Sequence, residues 1–158
     1  TAPRALTLRG GRVIARPYLP GLPLAPATLD GAPGDEAGAR VVELAGSRSW
    51  RLAFEASYEG PLSVRIGSDS GLEIVLEEGR LTVDLSGTRY PHGGRRVVTL
   101  EPGEARRVEI LHDRSITEIY LGDGSRVFTT RSFLNGDGSG VTLMGAASVT
   151  NVSAARAD

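Results

Sequence analysis

Short, β-rich runs separated by turn residues follow one another along almost the whole sequence. Each run is about five to eight residues long, the usual length of a β-strand. The runs recur roughly every 8 to 12 residues, a spacing typical of an all-β sandwich or barrel. No window carries apolar residues at the period of an amphipathic helix, so almost no helix is expected. The predicted strands cover residues 4–8, 12–16, 40–45, 50–57, 62–66, 72–76, 80–85, 95–100, 106–111, 116–121, 126–131, 140–144 and 148–153.

The N-terminal part of the chain differs from the remainder. Arg9-Gly10-Gly11 predicts a turn that closes a short hairpin. Residues 18–38 are rich in proline and glycine and lack periodicity, which indicates a surface connection. We therefore expect a hairpin or interdomain junction over 1–17, a connection over 18–38 and a sandwich body over 39–158, all within a single domain.

Two strands on either side of Pro102-Gly103 are expected to pair as a hairpin about that turn. In this arrangement the neighbouring arginine pairs that include Arg96 and Arg107 lie at opposite ends of the hairpin. No continuous basic patch is therefore predicted from them.

Composition excludes several classes of function. The 158 residues carry a net charge of −1, which argues against nucleic acid or an anionic membrane as a partner. No apolar run approaches the roughly 20 residues that span a bilayer. Cysteine is absent, which excludes disulfides, thiolate metal sites and cysteine nucleophiles. All 18 basic residues are arginine and only two histidines occur, so neither lysine Schiff-base chemistry nor a multi-histidine metal site is expected. We predict no cofactor.

Two local patterns imitate functional motifs without meeting their requirements. His112, Asp113 and Ser115 have the residue types of a hydrolase triad, but they lie together on one predicted strand and turn, whereas triad members come from separate elements. Residues 135–140 imitate the first half of a calcium loop, but the twelfth position is Ala146 instead of glutamate. No two acids have a spacing that suits glycosidase chemistry. We therefore predict no catalytic and no metal-binding residues.

The predicted hairpin over residues 116–131 is the most informative stretch. Asp123-Gly124 favours a type I′ turn, since both of its central residues need a positive φ. Pairing about this turn sets Ile119 opposite Phe128, and the two-residue period then directs one set of side chains to the core. That set comprises Thr117, Ile119, Leu121 and Phe128, and the opposite face carries Glu118, Tyr120, Val127, Thr129 and Arg131.

This opposite face has two interpretations. A carboxylate, a guanidinium and an aromatic ring on an exposed sheet face could bind a sugar, with the ring of Tyr120 against an apolar sugar face. Alternatively, Glu118 and Arg131 form a cross-strand salt bridge beside a packed tyrosine. The residues alone leave both interpretations open.

Residues 107–131 contain a predicted strand, Asp113-Arg114-Ser115, Glu118 and Tyr120, a glycine turn and a strand from Thr129 to Arg131. This succession resembles the C-terminal β-sandwich module of glycoside hydrolase family 32, the invertases, levanases and inulinases. The module typically has a strand, then Asp-Arg-Ser, a glutamate flanked by apolar residues and an aromatic, a turn that ends in glycine, and a Thr-x-Arg strand. The matching residues are Asp113, Arg114, Ser115, Glu118, Tyr120, Gly124, Thr129 and Arg131. Residues 3–8, 11–13 and 16–17 are similar to the junction between the family's catalytic propeller and this module.

The resemblance implies a two-sheet antiparallel β-sandwich of the concanavalin-like jelly-roll type. It implies a non-catalytic domain, because the family's chemistry belongs to a five-bladed propeller whose Asn-Asp-Pro-Asn, Arg-Asp-Pro and Glu-Cys motifs do not occur in this sequence. The expected partner is the catalytic β-propeller of the same polypeptide. The module would stabilise the propeller, and it could also shape substrate access or an oligomer interface.

The resemblance also implies an alternative function, because related fructan-binding modules share this sandwich. In that case the module would bind fructose-containing sugars. The candidate sugar contacts are Asp113, Arg114, Glu118, Tyr120 and Arg131. A lectin-like sandwich unrelated to the family is a further alternative. Both the bacterial cytoplasm and secretion are compatible with the sequence, so no localisation is predicted.

Overall fold

The computed structural model describes residues 2–27, 40–44, 47–67, 71–136 and 140–157. In these residues the chain forms β-strands and a single 3-10 turn over Pro91–Gly93. The strands are β1 (Arg4–Arg9), β2 (Arg12–Pro17), β3 (Ala25–Pro26), β4 (Arg40–Glu43), β5 (Ser49–Ser57), β6 (Leu62–Ile66), β7 (Leu72–Glu77), β8 (Arg80–Asp84), β9 (Arg95–Thr99), β10 (Arg107–Asp113), β11 (Ile116–Leu121), β12 (Arg126–Arg131), β13 (Gly140–Gly145) and β14 (Ser148–Ala157). No helix in the described part of the chain is long and apolar enough to cross a membrane.

The strands form two six-stranded sheets and one separate hairpin. Sheet I has the order β12-β11-β10-β5-β14-β3, and sheet II has the order β4-β13-β6-β7-β8-β9. Every pairing within them is antiparallel. Strands β1 and β2 pair only with each other and form the N-terminal hairpin. The predicted two-sheet antiparallel sandwich with almost no helix is confirmed.

The core lies between the inner faces of the two sheets, as the alternation of apolar residues along each strand requires. In β5, Trp50, Leu52 and Phe54 are buried on the inner face of sheet I. Strands β6, β7 and β8 supply the opposing aliphatic layer, in which buried and half-buried residues alternate along β6 and β7. At about 25 cal/mol per Å² of apolar surface, burial of these side chains is the main stabilising contribution to the fold.

The strands on either side of Pro102-Gly103 do not form the predicted hairpin. β9 pairs with β8 at the edge of sheet II, whereas β10 pairs with β5 and β11 in sheet I. The turn reverses the chain, but the connection crosses from one sheet to the other. The prediction that Arg96 and Arg107 share a hairpin is therefore wrong, because a connection between sheets and a hairpin turn use the same local residues.

The proline- and glycine-rich segment includes a strand that the sequence did not predict. Ala25 and Pro26 pair with β14 at the edge of sheet I, a position where proline is tolerated because no further strand needs its missing N–H. Residues 28–39 of this segment lie outside the described residues. The division of the chain at residues 17 and 38 stays a prediction.

Candidate functional site

The β11–β12 hairpin has the register that the sequence predicted. Ile119 lies opposite Phe128 and Thr117 opposite Thr130. Ile119 and Leu121 are buried in the core, and Phe128 packs against it. The two-residue period therefore gives the correct face for each side chain of this hairpin.

The turn of this hairpin differs from the predicted type I′ turn. The ladder ends at Leu121 and Arg126, which leaves a loop of four residues. Gly122 and Gly124 have positive φ angles of 63° and 99°, whereas Asp123 does not have a positive φ. Asp123 instead accepts hydrogen bonds from the N-terminal hairpin, through Oδ2 from Arg9 and through its carbonyl oxygen from Arg16. The type I′ prediction is therefore wrong.

Glu118 is buried, with 2% of its surface exposed, because the N-terminal segment covers the outer face of sheet I. The guanidinium of Arg4 forms an ion pair with Glu118 Oε1, and the backbone N–H of Ala2 donates to Oε2 at 2.8 Å. Thr129 Oγ1 also lies 3.4 Å from Oε1. The expectation of an exposed face is therefore wrong for Glu118 and Tyr120, which are buried, and holds for Thr129 and Arg131. Arg4, a residue far away in sequence, supplies the cation and covers the carboxylate.

Tyr120 lies in the same buried contact. Arg4 Nε donates a hydrogen bond of 3.2 Å to the phenol oxygen, and the guanidinium carbon lies 5.6 Å from the ring centre. Burial raises the pKa of Tyr120, while the hydrogen bond from Arg4 opposes that shift. The hydrogen bond with Glu118 is the largest effect that raises the pKa of Arg4.

The other three predicted site residues do not join this contact. Asp113 is exposed and accepts a 2.6 Å hydrogen bond from Ser49 Oγ. Arg131 is exposed and places its guanidinium carbon 5.1 Å from the ring centre of Phe133. Arg114 is exposed at the β10–β11 turn. The structure brings Glu118 and Tyr120 together but does not assemble the five residues into one site. Their role in sugar binding stays a prediction.

An apolar pocket of about 350 Å³ lies between the N-terminal segment and the outer face of sheet I. Pro3, Leu19 and Leu22 line it from the N-terminal side, and Leu111 and Ile116 from the sheet. Asp113 and Glu118 also line this pocket, but the hydrogen bonds described above engage both carboxylates.

His112 also lines this pocket; it lies on β10 and is buried. Its ring stacks on Trp50 with 5.3 Å between ring centres. Nδ1 lies 3.0 Å from Thr117 Oγ1, which in turn is 2.7 Å from Ser132 Oγ. Burial lowers the pKa of His112 to about 4 from its ordinary value of 6.5, and the charge of Asp113 only partly opposes this. The imidazole is therefore neutral near pH 7.

A basic cleft of about 830 Å³ opens at the end of the sandwich that holds the β10–β11 turn. We use "basic cleft" for the site lined by Arg48, Arg89, Tyr90, Arg114, Ser115, Phe133, Leu134, Asn135 and Gly136. These residues come from the segment before β5, the β8–β9 connection, the β10–β11 turn and the segment after β12. Loops of both sheets thus contribute to it.

The sequence analysis did not identify Arg4 as the partner of Glu118, and it missed most residues of the basic cleft. Arg4 lies in a strand that was predicted, but nothing local shows that it reaches Glu118, 114 residues away. Arg48, Arg89 and Tyr90 lie in connections far apart in sequence, and their meeting depends on the topology of both sheets. Only the excess of arginine could have drawn attention to them.

Metal ligands are not gathered anywhere in the described part of the chain, where no group of three or more histidines and acids has suitable geometry. The loop that imitates a calcium site includes residues 137–139, which lie outside the described residues.

The protein is thus a two-sheet antiparallel β-sandwich domain, and ion pairs and a backbone hydrogen bond hold its N-terminal hairpin against sheet I. The chain belongs to the family described as glycosyl hydrolases family 32 C terminal, whose model matches residues 37–157. This match excludes the alternative of a lectin-like sandwich unrelated to the family. No curated protein sequence matches the chain.

Several solved structures share the fold of this chain. The sucrose-6-phosphate hydrolase of Lactobacillus gasseri matches with a TM-score of 0.76 and 17% identity, over 98% of this chain and 33% of that one. A family 32 hydrolase of Bifidobacterium adolescentis matches with a TM-score of 0.71 and 19% identity, over 99% of this chain and 25% of that one. The GH32 β-fructofuranosidase of Bombyx mori matches with a TM-score of 0.67 and 20% identity, over 99% of this chain and 32% of that one. This chain therefore spans a third or less of the length of these relatives.

Proposed function

We propose that this chain is the non-catalytic C-terminal sandwich of a β-fructosidase, and that it stabilises the catalytic propeller of the same polypeptide. The observation that carries the proposal is an apolar face on the N-terminal hairpin. Leu6, Leu8 and Val13 are 67%, 73% and 60% exposed. Leu8 lies opposite Val13, and Leu6 is two residues from Leu8, so the three side chains share one face.

An exposed apolar cluster of this kind is typical of a surface that another domain covers. The proposed occupant is the propeller, because the family relatives are about three times as long as this chain or longer and the matched region covers a third or less of each.

The hairpin is held firmly enough to act as a docking element. Arg4 pairs with Glu118 at its base, and Arg9 and Asp123 lie 3.0 Å apart near its tip. Between them the backbone N–H of Ala15 donates a 2.9 Å hydrogen bond to Gly124. A hairpin with these contacts presents its apolar face in a fixed orientation and loses little conformational entropy when a partner covers it.

The buried carboxylate supports a non-catalytic role. Glu118 is the family-type glutamate of this stretch, and its oxygens already accept hydrogen bonds from Arg4 and Ala2. A glycosidase needs one acid that can donate a proton and a second carboxylate that is free to attack or to activate water. An ion-paired carboxylate under the hairpin performs neither role.

The test compares Leu6→Ser/Leu8→Ser in this chain alone and in the polypeptide that its gene encodes around it. We expect the double substitution to leave the thermal midpoint of the isolated chain nearly unchanged, because both side chains are exposed. In the longer polypeptide we expect a lower midpoint and faster thermal loss of sucrose hydrolysis.

Val97→Ser is the matched control, since Val97 is an exposed apolar residue on the edge strand β9. An equal effect of the hairpin variant and the control in the longer polypeptide would contradict the docking role. A gene that encodes no catalytic domain beside this chain would contradict the proposal as a whole.

Fructan binding through Asp113, Arg114, Glu118, Tyr120 and Arg131 is the alternative proposal. The burial of Glu118 and Tyr120 disfavours it, because a sugar would have to displace the N-terminal segment. Titration with levan and inulin oligosaccharides tests it, and NMR shifts confined to these five residues would support it over the docking role.

A further inference from the structure

The basic cleft gathers positive charge on a chain that has a net charge of −1. Arg48, Arg89 and Arg114 line it, and its described lining residues include no carboxylate. Among the described residues, the ion pairs engage other arginines, namely Arg4, Arg9, Arg51, Arg65, Arg80 and Arg126. None of these ion pairs includes Arg48, Arg89 or Arg114, so the cleft concentrates positive charge that an anionic ligand would neutralise.

We propose that the basic cleft binds a sugar phosphate. A guanidinium offers a planar fork of N–H donors that matches the oxygens of a phosphate, and several such forks around one site favour a dianion over a single carboxylate. The inference is independent of the docking role, because the cleft lies at the β10–β11 turn and the hairpin contacts the β11–β12 turn, at the other end of β11.

The aromatic wall of the cleft is suited to the sugar part of such a ligand. Tyr90 is 50% exposed and packs edge-on against Phe133, with 5.2 Å between ring centres. The guanidinium carbon of Arg89 lies 5.6 Å from the centre of the same ring, so a sugar would stack on the ring face that Arg89 leaves open. The hydroxyl of Ser115 also lines the site. The volume of about 830 Å³ lies within the range typical of small-molecule sites and far exceeds a phosphate ion.

Backbone hydrogen bonds tie the walls of the cleft to one another. The N–H of Arg89 donates to the carbonyl of Phe133 at 2.7 Å, which joins the β8–β9 connection to the segment after β12. The N–H of Arg114 donates to Arg48 at 2.8 Å. These bonds join the backbone of Arg114 to that of Arg48, and the backbone of Arg89 to that of Phe133, independently of any ligand.

Arg114 has an unusual backbone conformation at this place. Its φ is +54°, a left-handed value that costs a residue with a Cβ free energy and is found mainly in glycine, asparagine and aspartate. It occupies the first position of the two-residue turn between Asp113 and Ile116. An arginine held in a conformation that suits glycine is consistent with a functional requirement for its side chain.

The experiment titrates this chain at low ionic strength with fructose 6-phosphate, inorganic phosphate and fructose, and follows binding by calorimetry and NMR. We expect fructose 6-phosphate to bind more tightly than inorganic phosphate, and fructose not to bind. Added salt should weaken the binding of both anions. Arg89→Gln/Arg114→Gln should weaken the binding of fructose 6-phosphate by about tenfold or more, as the loss of charged hydrogen bonds predicts.

Tyr90→Ala removes the stacking of the sugar and keeps the arginines that would bind the phosphate. It should reduce the affinity for fructose 6-phosphate towards that for inorganic phosphate. Arg12→Gln is the matched control for charge, because Arg12 is exposed on the N-terminal hairpin and should leave binding unchanged. Equal binding of fructose and its phosphate would overturn the proposal. So would an equal loss in the Arg12 control, or the absence of binding by either anion up to about 10 mM, far above the Kd of a specific site.

Discussion

Arg4 and Glu118 form an ion pair that ties the first strand of the chain to sheet I across 114 residues of sequence. The carboxylate is almost fully buried, whereas the side chain of Arg4 is 30% exposed. Because only Arg4 can reach water, removing Arg4 and removing Glu118 should lower the free energy of unfolding by different amounts.

We expect Arg4→Ala to destabilise the protein more than Glu118→Ala. Loss of Arg4 leaves a buried carboxylate without its cation, which typically costs about 3–5 kcal/mol. Loss of Glu118 leaves a guanidinium that can turn towards water, so the cost should be smaller. Urea unfolding of both variants and of the double variant measures the difference and the coupling.

The exposed pair of Arg80 and Glu77 provides the control, and Arg80→Ala should change the free energy of unfolding by about 1 kcal/mol or less. Equal small effects of Arg4→Ala and Arg80→Ala would show that the buried pair contributes nothing special. An increase in the hydrogen exchange of hairpin amides alone would mean that the hairpin opens locally and lets Glu118 hydrate.

Gly124 allows the hairpin to approach the β11–β12 turn. A Cβ at this position would lie 2.2 Å from the carbonyl oxygen of Ala15, and φ is +99°. We expect Gly124→Ala to lower the free energy of unfolding and to speed exchange of the Ala15 amide. Gly11→Ala is the control, because Gly11 also has a positive φ but would place its Cβ in open space. The difference between the two variants should be about 1–3 kcal/mol, the usual cost of overpacking.

His112 should make stability depend on pH below neutrality. Its folded pKa of about 4 lies below its ordinary value of 6.5, so the unfolded chain binds the proton more readily. The stabilisation is complete above about pH 6.5 and is lost as the pH falls towards 4, with a slope of at most about 1.4 kcal/mol per pH unit.

Chemical unfolding between pH 7 and pH 4 measures this slope. His112→Asn should lower stability at pH 7, through lost packing on Trp50, and should flatten the slope. His92→Asn changes an exposed histidine and should keep the slope of the unsubstituted protein. A slope unchanged by His112→Asn would assign the acid sensitivity to other groups.

Ile74 lies at the centre of the layer that sheet II contributes to the core, and it is fully buried. Ile74→Ala should cost about 2–5 kcal/mol, because the site loses transfer free energy and keeps a cavity. Val97→Ala on the edge strand is the comparison and should stay within about 0.5 kcal/mol. Thermal unfolding of both variants would show whether the two sheets share one cooperative core.

Much of the fold could be predicted because the signals are local. The strand over Ile116–Leu121 and its partner over Arg126–Arg131 have the predicted bounds and register. A period of two fixes which side chains face the core once a turn is placed, and a shift of one residue would expose all of them.

The prediction was wrong where it required knowing which strands pair with each other in the folded protein. The turn at Pro102-Gly103 reverses the chain, but the same residues serve a hairpin or a crossing between sheets. β9 follows β8 in sheet II because that edge is available to it, while β10 lies between β5 and β11. Long-range contacts decide which strands pair, and the residues of a turn carry no information about those contacts.

Residue patterns and composition were enough to predict the class of fold, most strand positions and the resemblance to family 32, and to exclude cysteine chemistry. The folded structure was needed to show that Arg4 covers Glu118, and that Arg48, Arg89 and Arg114 line one cleft. The two kinds of feature differ in the range of the interactions that produce them. Alternation and turn propensity act between neighbours in sequence, whereas burial and charge pairing depend on which distant segments the packed sheets bring into contact.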